Sequence, residues 1–406
     1  MHLARRAWCR TYQTVFRIAL PILPYTEPRI LEHAEDVPAV LQKRSIQKVL
    51  IVTDPGIARL GLTAPLERAL TAQGIGVTVY AETRANPTVS NVEEAAALYR
   101  ENDCRAIIGF GGGSAMDCAK GVGARIAQPN KPINKMRGLL RVHRLLPLLI
   151  AVPTTAGTGS EVTVAAVITD NETHYKYPIN DFVLIPRFAV QDPEFTRGLP
   201  ASITGQTGMD ALTHAVEAFI GRSTTPYTRK MARQAVQLIR DNLLEAYEHG
   251  DDMRARRNML SAAYKAGVAF TRSYVGYVHA VAHSLGGRYG IPHGLANAII
   301  LPHMLRAYGD AAAPKLADLA RMAGIAPAAA QDSLAAEAFI DWVDRMNEAL
   351  GIPKYVSGIR RSDIPQMASH ADAEANPLYP VPLLMDRLEL EHMYEVVAGG
   401  MFEDEN

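Results

Sequence analysis

Between residues 48 and 191 short apolar, β-branched runs alternate with helix-forming stretches, and after Asp192-Pro193 no run of comparable quality recurs. Strands that arrive one at a time, with a helix between them, build a parallel sheet covered on both faces. Lys48-Val-Leu-Ile-Val-Thr-Asp54 reads as a buried strand that ends in an acid and turns at Pro55-Gly56. Residues 65–73 then read as a helix, 77–80 as a strand, 92–102 as a helix capped by Thr88 or Ser90, and 106–110 as a strand. Residues 145–152, 162–170 and 182–191 read as further strands. From about Leu199 onward Ala, Leu and Met recur at helical spacing. At 406 residues the chain exceeds the size at which a single core stops growing. The expected fold class is therefore α/β plus all-α, with a Rossmann-like domain over residues 1–197 and an all-helical domain over residues 198–406.

Composition narrows the partners. The 42 basic and 42 acidic side chains balance, so no overall field points to nucleic acid or an anionic membrane, and a small-molecule substrate is expected. No apolar run approaches the roughly eighteen residues that a spanning helix needs. Cys9, Cys104 and Cys118 are odd in number and lack metal-type spacing, which fits free thiols in a reducing compartment and leads us to expect a cytoplasmic protein. Residues 1–26 hold Arg5, Arg6, Arg10 and Arg17 with no acid before Glu27, a composition shared with organelle transit peptides. We expect instead an arm that docks on the body or on a partner subunit.

Histidine is sparse except in one place. Gly276-Tyr-Val-His279-Ala-Val-Ala-His283 and the following Ser-Leu-Gly-Gly-Arg-Tyr-Gly-Ile-Pro-His293-Gly294 put three imidazoles within nineteen residues. Upstream, Asp210 and His214 lie four apart in Thr207-Gly-Met-Asp210-Ala-Leu-Thr-His214-Ala-Val-Glu217 and so project from one helix face. His279 and His283 repeat that spacing, and His293 sits on a Pro-His-Gly turn. Any one such histidine alone is ordinarily a core or surface residue. Two clusters of them can surround a divalent cation with nitrogen and oxygen ligands, of the kind that suit iron, zinc, cobalt or nickel. Spacing alone leaves open whether His279 pairs with His283 or with His293.

Two turns carry an anion-binding signal. Gly111-Gly112-Gly113-Ser114 follows a strand and opens a helix, so backbone N–H groups and a positive dipole end meet whatever binds there. A tight turn with no ligand explains the same glycines, since the G-x-G-x-x-G spacing is missing. Thr154-Thr155 with Gly157, Thr158 and Ser160 forms a second hydroxyl-rich turn after a strand. Together they suit an extended ligand with ribose and phosphate, such as a dinucleotide. Asp54 would accept from a ribose diol and repel a 2′-phosphate, favouring NAD over NADP, or it is an ordinary strand-end turn residue.

Taken together, these stretches resemble the iron-containing (group III) alcohol dehydrogenase family. The matching segments are Gly111-Gly-Gly-Ser-Ala-Met-Asp117-Cys-Ala-Lys120, Pro153-Thr-Thr-Ala-Gly-Thr-Gly-Ser-Glu-Val-Thr163, Gly208-Met-Asp-Ala-Leu-Thr-His-Ala-Val-Glu217 and the His279 block through His303. The resemblance implies a dehydroquinate synthase-like fold, with an N-terminal nucleotide domain and a C-terminal helical metal-binding domain. It places the metal ligands on Asp210, His214, His279 and His293 and a proton-relay role on His283. It places NAD contacts on Asp54, Asn86, Gly112, Gly113, Ser114, Thr154, Thr155, Thr163 and Lys176, and a substrate-pocket wall on Phe270. It further implies a homodimer or larger homo-oligomer. The expected activity is hydride transfer between a short-chain alcohol or aldehyde and NAD, with Fe2+ as the ion and Zn2+ as its rival. Other readings are a lyase like dehydroquinate synthase and a metal-dependent hydrolase. The first predicts Lys and Arg around the ligands, where the flanking helices carry almost none, and the second leaves the two glycine turns unexplained.

Overall fold

The computed structural model describes residues 1–172 and 176–403. It divides into two compact units, Pro24–Gly198 and, together, Met1–Leu23 with Leu199–Asn406. The first 23 residues belong to the helical unit, so the expectation of an α/β domain over 1–197 is corrected at its start. There, helix α1 (Leu3–Ala19) is held by polar contacts to its own unit. The Gln13 amide donates to the carbonyl of Tyr379 at 2.7 Å, and the Arg10 guanidinium donates to the carbonyls of Val381 and Pro382 at 2.7 and 2.8 Å.

The strands of the α/β unit are β1 (Arg29–Leu31), β2 (Lys48–Val52), β3 (Gly76–Tyr80), β4 (Ala106–Gly111), β5 (Gly138–Leu139), β6 (Leu148–Pro153), β7 (Ala165–Thr169), β8 (Lys176–Asn180) and β9 (Phe188–Val190). Six of them form a parallel sheet in the order β1-β9-β6-β4-β2-β3. Successive side chains of a strand point to opposite faces, and here both faces are apolar. Leu50, Val52, Ile107 and Leu149 enter one core cluster, while Val49, Ile51, Ile108, Phe110, Ile150 and Val152 enter the other. Helices α2 (Val37–Gln42), α3 (Pro55–Arg59), α4 (Ala64–Ala72), α5 (Val89–Glu101) and α6 (Gly113–Ala127) connect the strands. Thr88 caps α5, its hydroxyl accepting from the Asn91 N–H while the Asn91 side chain accepts from the Thr88 N–H.

Three expectations change. Residues 162–170 are not one strand: Ser160–Val162 is a 3-10 turn after Gly159, which takes the left-handed conformation at φ 61°, and β7 starts only at Ala165. Residues 182–191 shorten to β9, because Phe182–Leu184 turns under the Asp181 cap and Pro186 has no N–H to offer a ladder. The segment holding Lys176, read as lying between strands, is itself β8, antiparallel to β7 in a separate sheet ordered β5-β8-β7.

The helical unit continues with α7 (Ala201–Ile220), α8 (Pro226–Glu248), α9 (Met253–Ser273), α10 (Tyr277–Tyr289), α11 (His293–Tyr308), α12 (Ala313–Met322), α13 (Asp332–Ala349), α14 (Ile364–Ala375) and α15 (Arg387–Ala398). Helix α7 is buried along most of its length and packs on α8, α9 and α11, while α10 packs on α11 and α14. Gly294 lets the start of α11 close on α7: a Cβ there would lie 2.5 Å from the Gln206 carbonyl oxygen. That approach delivers His293 to the Asp210 face of α7.

Candidate metal centre and cofactor turns

Asp210 and His214 come from one face of α7, His279 from the first turn of α10, and His293 from the first residue of α11. One ligand atom from each of the four lies within 4.8 Å of all the others. His293 was expected on a turn; in the structure that turn is where α11 begins. Asp210, His214 and His279 are buried, and His293 is partly open, its side chain 38% exposed.

The donor set fits a cation. The Asn297 amide, one turn along α11, donates to Asp210 Oδ1 at 2.7 Å, and its Nδ2 stands 3.3 Å from His279 Nε2 and 3.1 Å from His293 Nε2. Three acceptor atoms thus face a single electron-poor group. Asn297 Oδ1 and His214 Nδ1 are buried without a hydrogen-bond partner among the described residues, as expected of a polar pocket organised for something more than its own side chains. Burial lowers the pKa of His214 to about 4 against the pull of Asp210, and burial with His293 holds His279 well below the usual imidazole value. Both rings are therefore neutral near pH 7, the form that ligates a metal. Burial opposes the charge of Asp210, yet the surrounding imidazoles and the Asn297 amide keep its pKa below the usual carboxylate value.

Around these four, Glu217 stands 2.6 Å from His279 Nδ1 and is itself buried. Burial pushes its pKa up to about 7 in spite of the Gly276 and Val278 N–H groups that donate to it. Phe270 lies flat on His214, with ring centroids 4.1 Å apart and planes 14° from parallel. His283 stands outside the four, stacked on His293 at 5.1 Å. Its Nδ1 is 2.7 Å from Glu374 Oε1, which also accepts from the Tyr379 hydroxyl at 2.8 Å.

In the α/β unit β4 and β6 are neighbours in a register that pairs Gly111 with Pro153, and the Thr154 N–H donates to the Gly111 carbonyl at 3.0 Å. The glycine turn and the hydroxyl turn thus leave the same sheet edge side by side, with Gly112, Gly113, Ser114, Thr154 and Thr155 together. Several expected contact groups are already engaged by the protein. Asp54 Oδ1 caps α3, accepting from Gly56 and Ile57 N–H at 2.8 and 3.0 Å, so the strand-end turn role is real. Its Oδ2 remains on the side of Gly111. The Ser114 hydroxyl donates to the Ala85 carbonyl at 2.5 Å, and Thr163 Oγ1 accepts from Lys120 at 2.8 Å. Asn86 is exposed on its loop. Lys176 pairs with Thr169, which bridges to Thr88, two residues from Asn86; burial lowers the Lys176 pKa.

Sequence reading missed the groups that hold these in place. Lys120, fully buried, donates to Ser160 Oγ at 2.9 Å, to Thr163 Oγ1 and to the Ala165 carbonyl at 2.8 Å, while Asp117 accepts from Ser160 Oγ at 2.7 Å and from the Val167 N–H at 3.0 Å. The signal was present, since Asp117 and Lys120 are three apart in a stretch of α6 that is otherwise small and mostly apolar. Glu217 and Asn297 likewise follow His214 by three and His293 by four on apolar helices. Glu374 has no local signal, because only the packing of α14 on α10 brings it to His283.

Two family descriptions match this chain: iron-containing alcohol dehydrogenase over residues 30–193, and the Fe-containing alcohol dehydrogenase family, C-terminal, over residues 204–397. A 1,3-propanediol dehydrogenase of Klebsiella pneumoniae is 39% identical over 334 residues, covering 81% of this chain and 86% of that protein. The crystal structure of a 1,3-propanediol oxidoreductase superposes with a TM-score of 0.87 at 35% identity, over 92% of this chain and 99% of that one. A sulfoacetaldehyde reductase from Bifidobacterium kashiwanohense, solved in complex with NAD+, does so with a TM-score of 0.81 at 28% identity, over 92% and 98%. The lyase and hydrolase readings are not favoured by any of these. With both units matched and relatives of this identity over most of its length, the chain belongs to the iron-containing alcohol dehydrogenase family, oxidoreductases acting on CH–OH groups.

Proposed function

We propose that this enzyme interconverts short-chain primary alcohols or diols and their aldehydes with NAD, using Fe2+ held by Asp210, His214, His279 and His293. The observation that carries the reading is the convergence of one carboxylate oxygen and three imidazoles within 4.8 Å, with burial keeping the His214 and His279 rings neutral. Such an ion, when bound, supplies the Lewis acidity that lowers an alcohol's pKa and polarises a carbonyl, and NAD supplies the hydride acceptor. The chain's own residues do the rest. His283, outside the ligand set and paired with Glu374, takes the alcohol proton and passes it outward. Phe270, flat on His214, presents an apolar wall that suits an uncharged substrate. The backbone N–H groups of Gly112 and Gly113 and the hydroxyls of Thr154 and Thr155 take the pyrophosphate, and Asp54 Oδ2 the ribose diol, with Asn86, Ser114, Thr163 and Lys176 lining the same site.

The K. pneumoniae relative's name supports a diol or short alcohol as substrate, and the NAD+ complex of the reductase supports the cofactor. Protein stripped of metal and reloaded anaerobically should consume NADH with C2 to C6 aldehydes after Fe2+ addition, and less after Zn2+. NADH consumption that ignores every added ion, or a marked preference for carboxylated aldehydes, would sink the reading. With it we place the enzyme in the cytoplasm, where the free thiols of Cys9, Cys104 and Cys118 persist. We also propose a homo-oligomer, supported by the exposed apolar residues Trp8, Val15 and Ile18 of α1; a monomeric mass in light scattering would remove that part.

A further inference from the structure

We propose that Glu217 is the positioning residue of the metal centre: it fixes which nitrogen of His279 carries the proton, and thereby how tightly the centre takes an ion. The inference rests on the metal-centre reading above and extends it to a residue outside the four ligands. Glu217 Oε2 accepts from the Gly276 N–H at 2.8 Å and Oε1 from the Val278 N–H at 2.9 Å. Both backbone groups can only donate, so both oxygens are set as acceptors, and with Glu217 ionised its third neighbour, His279 Nδ1 at 2.6 Å, is the donor. The Nδ1 proton is then committed to Glu217, and the Nε2 lone pair faces inward.

The inner side agrees independently. Asn297 Nδ2 stands 3.3 Å from His279 Nε2 and donates to Asp210 Oδ1 at 2.7 Å. Turned the other way, the Asn297 amide would set oxygen against oxygen at Asp210. An Nε2–H tautomer of His279 would set hydrogen against hydrogen at Asn297 and could not ligate. Gly276 completes the device: a Cβ there would lie 2.7 Å from Glu217 Oε1 and 3.2 Å from its carboxyl carbon, so only glycine leaves the carboxylate room. At φ −135° the Gly276 backbone tolerates alanine, and the clash falls on Glu217 rather than on the main chain.

The test uses Glu217→Gln and Gly276→Ala in the full-length protein. Because Oε2 serves both the Gly276 N–H and His279 Nδ1, a glutamine that keeps its oxygen on the Val278 N–H turns its NH2 to the other two and removes the acceptor for the Nδ1 proton, which favours the wrong tautomer. Zn2+ affinity is read by competition with a chromophoric chelator, the ligand field by the visible spectrum of the Co2+ form, and the tautomer by 15N shifts of histidine-labelled apoprotein. E217Q is expected to weaken Zn2+ binding about 10- to 100-fold and to move the His279 proton to Nε2, while G276A shifts affinity the same way with the carboxylate intact. If E217Q does not fold, G276A carries the test alone. Wild type that binds one Zn2+ with E217Q equal to it within about twofold overturns the Glu217 assignment and leaves the centre standing. A lower unfolding midpoint at unchanged affinity does the same, because it makes Glu217 only a packing element. Wild type that takes up no Zn2+ overturns the centre and this assignment together.

Discussion

The helical unit and the α/β unit build their candidate sites by opposite means. Around Asp210, His214, His279 and His293 the candidate ligand atoms belong to side chains that the protein engages sparingly: one amide faces three of them, and His214 Nδ1 has no partner among the described residues. At the glycine and hydroxyl turns the donors proposed for the pyrophosphate include backbone N–H groups, and several of the proposed side chains, Asp54, Ser114 and Thr163, each have a group bound by the protein itself. A cation needs lone pairs held close before it arrives, whereas a pyrophosphate needs N–H groups at a turn whose shape is already fixed. Side-chain removal should therefore abolish one site and merely loosen the other.

Three substitutions test that contrast. Asp210→Ala should cost at least about a thousandfold in kcat/KM, in line with the several kcal/mol a Lewis acid supplies, and should leave the purified protein without stoichiometric metal. Activity retained with normal metal content would move the centre elsewhere. Lys120→Met should lower unfolding free energy in urea by about 3–5 kcal/mol, because it leaves Asp117 and the Ser160–Thr163 turn without the buried cation that joins them. A change under about 1 kcal/mol would mean the turn holds its shape without α6. Ser114→Ala should be mild, about 1 kcal/mol in stability and less than about tenfold in NAD affinity, since the hydroxyl already bonds Ala85. A larger loss in NAD binding, measured by fluorescence titration, would show that the hydroxyl turns to the cofactor and would narrow the difference between the two sites.

Much of the fold was legible because its signals are local and periodic. The run from Lys48 to Val52 is apolar on both faces and can only be an inner strand, and it is. The spacings of Asp210 with His214 and of His279 with His283 were legible for the same reason. The choice between His283 and His293 as the partner of His279 was not, since it depends on how close α11 comes to α7, a distance governed by Gly294. The β8 strand was missed because Pro178 and its polar residues argue against a strand, and only pairing with β7 supplies the hydrogen bonds. The α1 arm was legible as an arm, but what it docks on was decided by Gln13 and Arg10 reaching the carbonyls of residues 379–382.

By itself the sequence determined which residue types are available at helical and strand periods: a buried parallel sheet, a glycine turn and a hydroxyl-rich turn after strands, and imidazoles on helix faces. Tertiary structure decided which of them meet, which nitrogen of a ring faces inward, and which hydroxyls are left for a ligand. The division is physical. Periodicity follows from the geometry of one element, whereas a ligand set and its tautomers depend on contacts between helices more than sixty residues apart, such as Glu217 with His279, that no local pattern encodes.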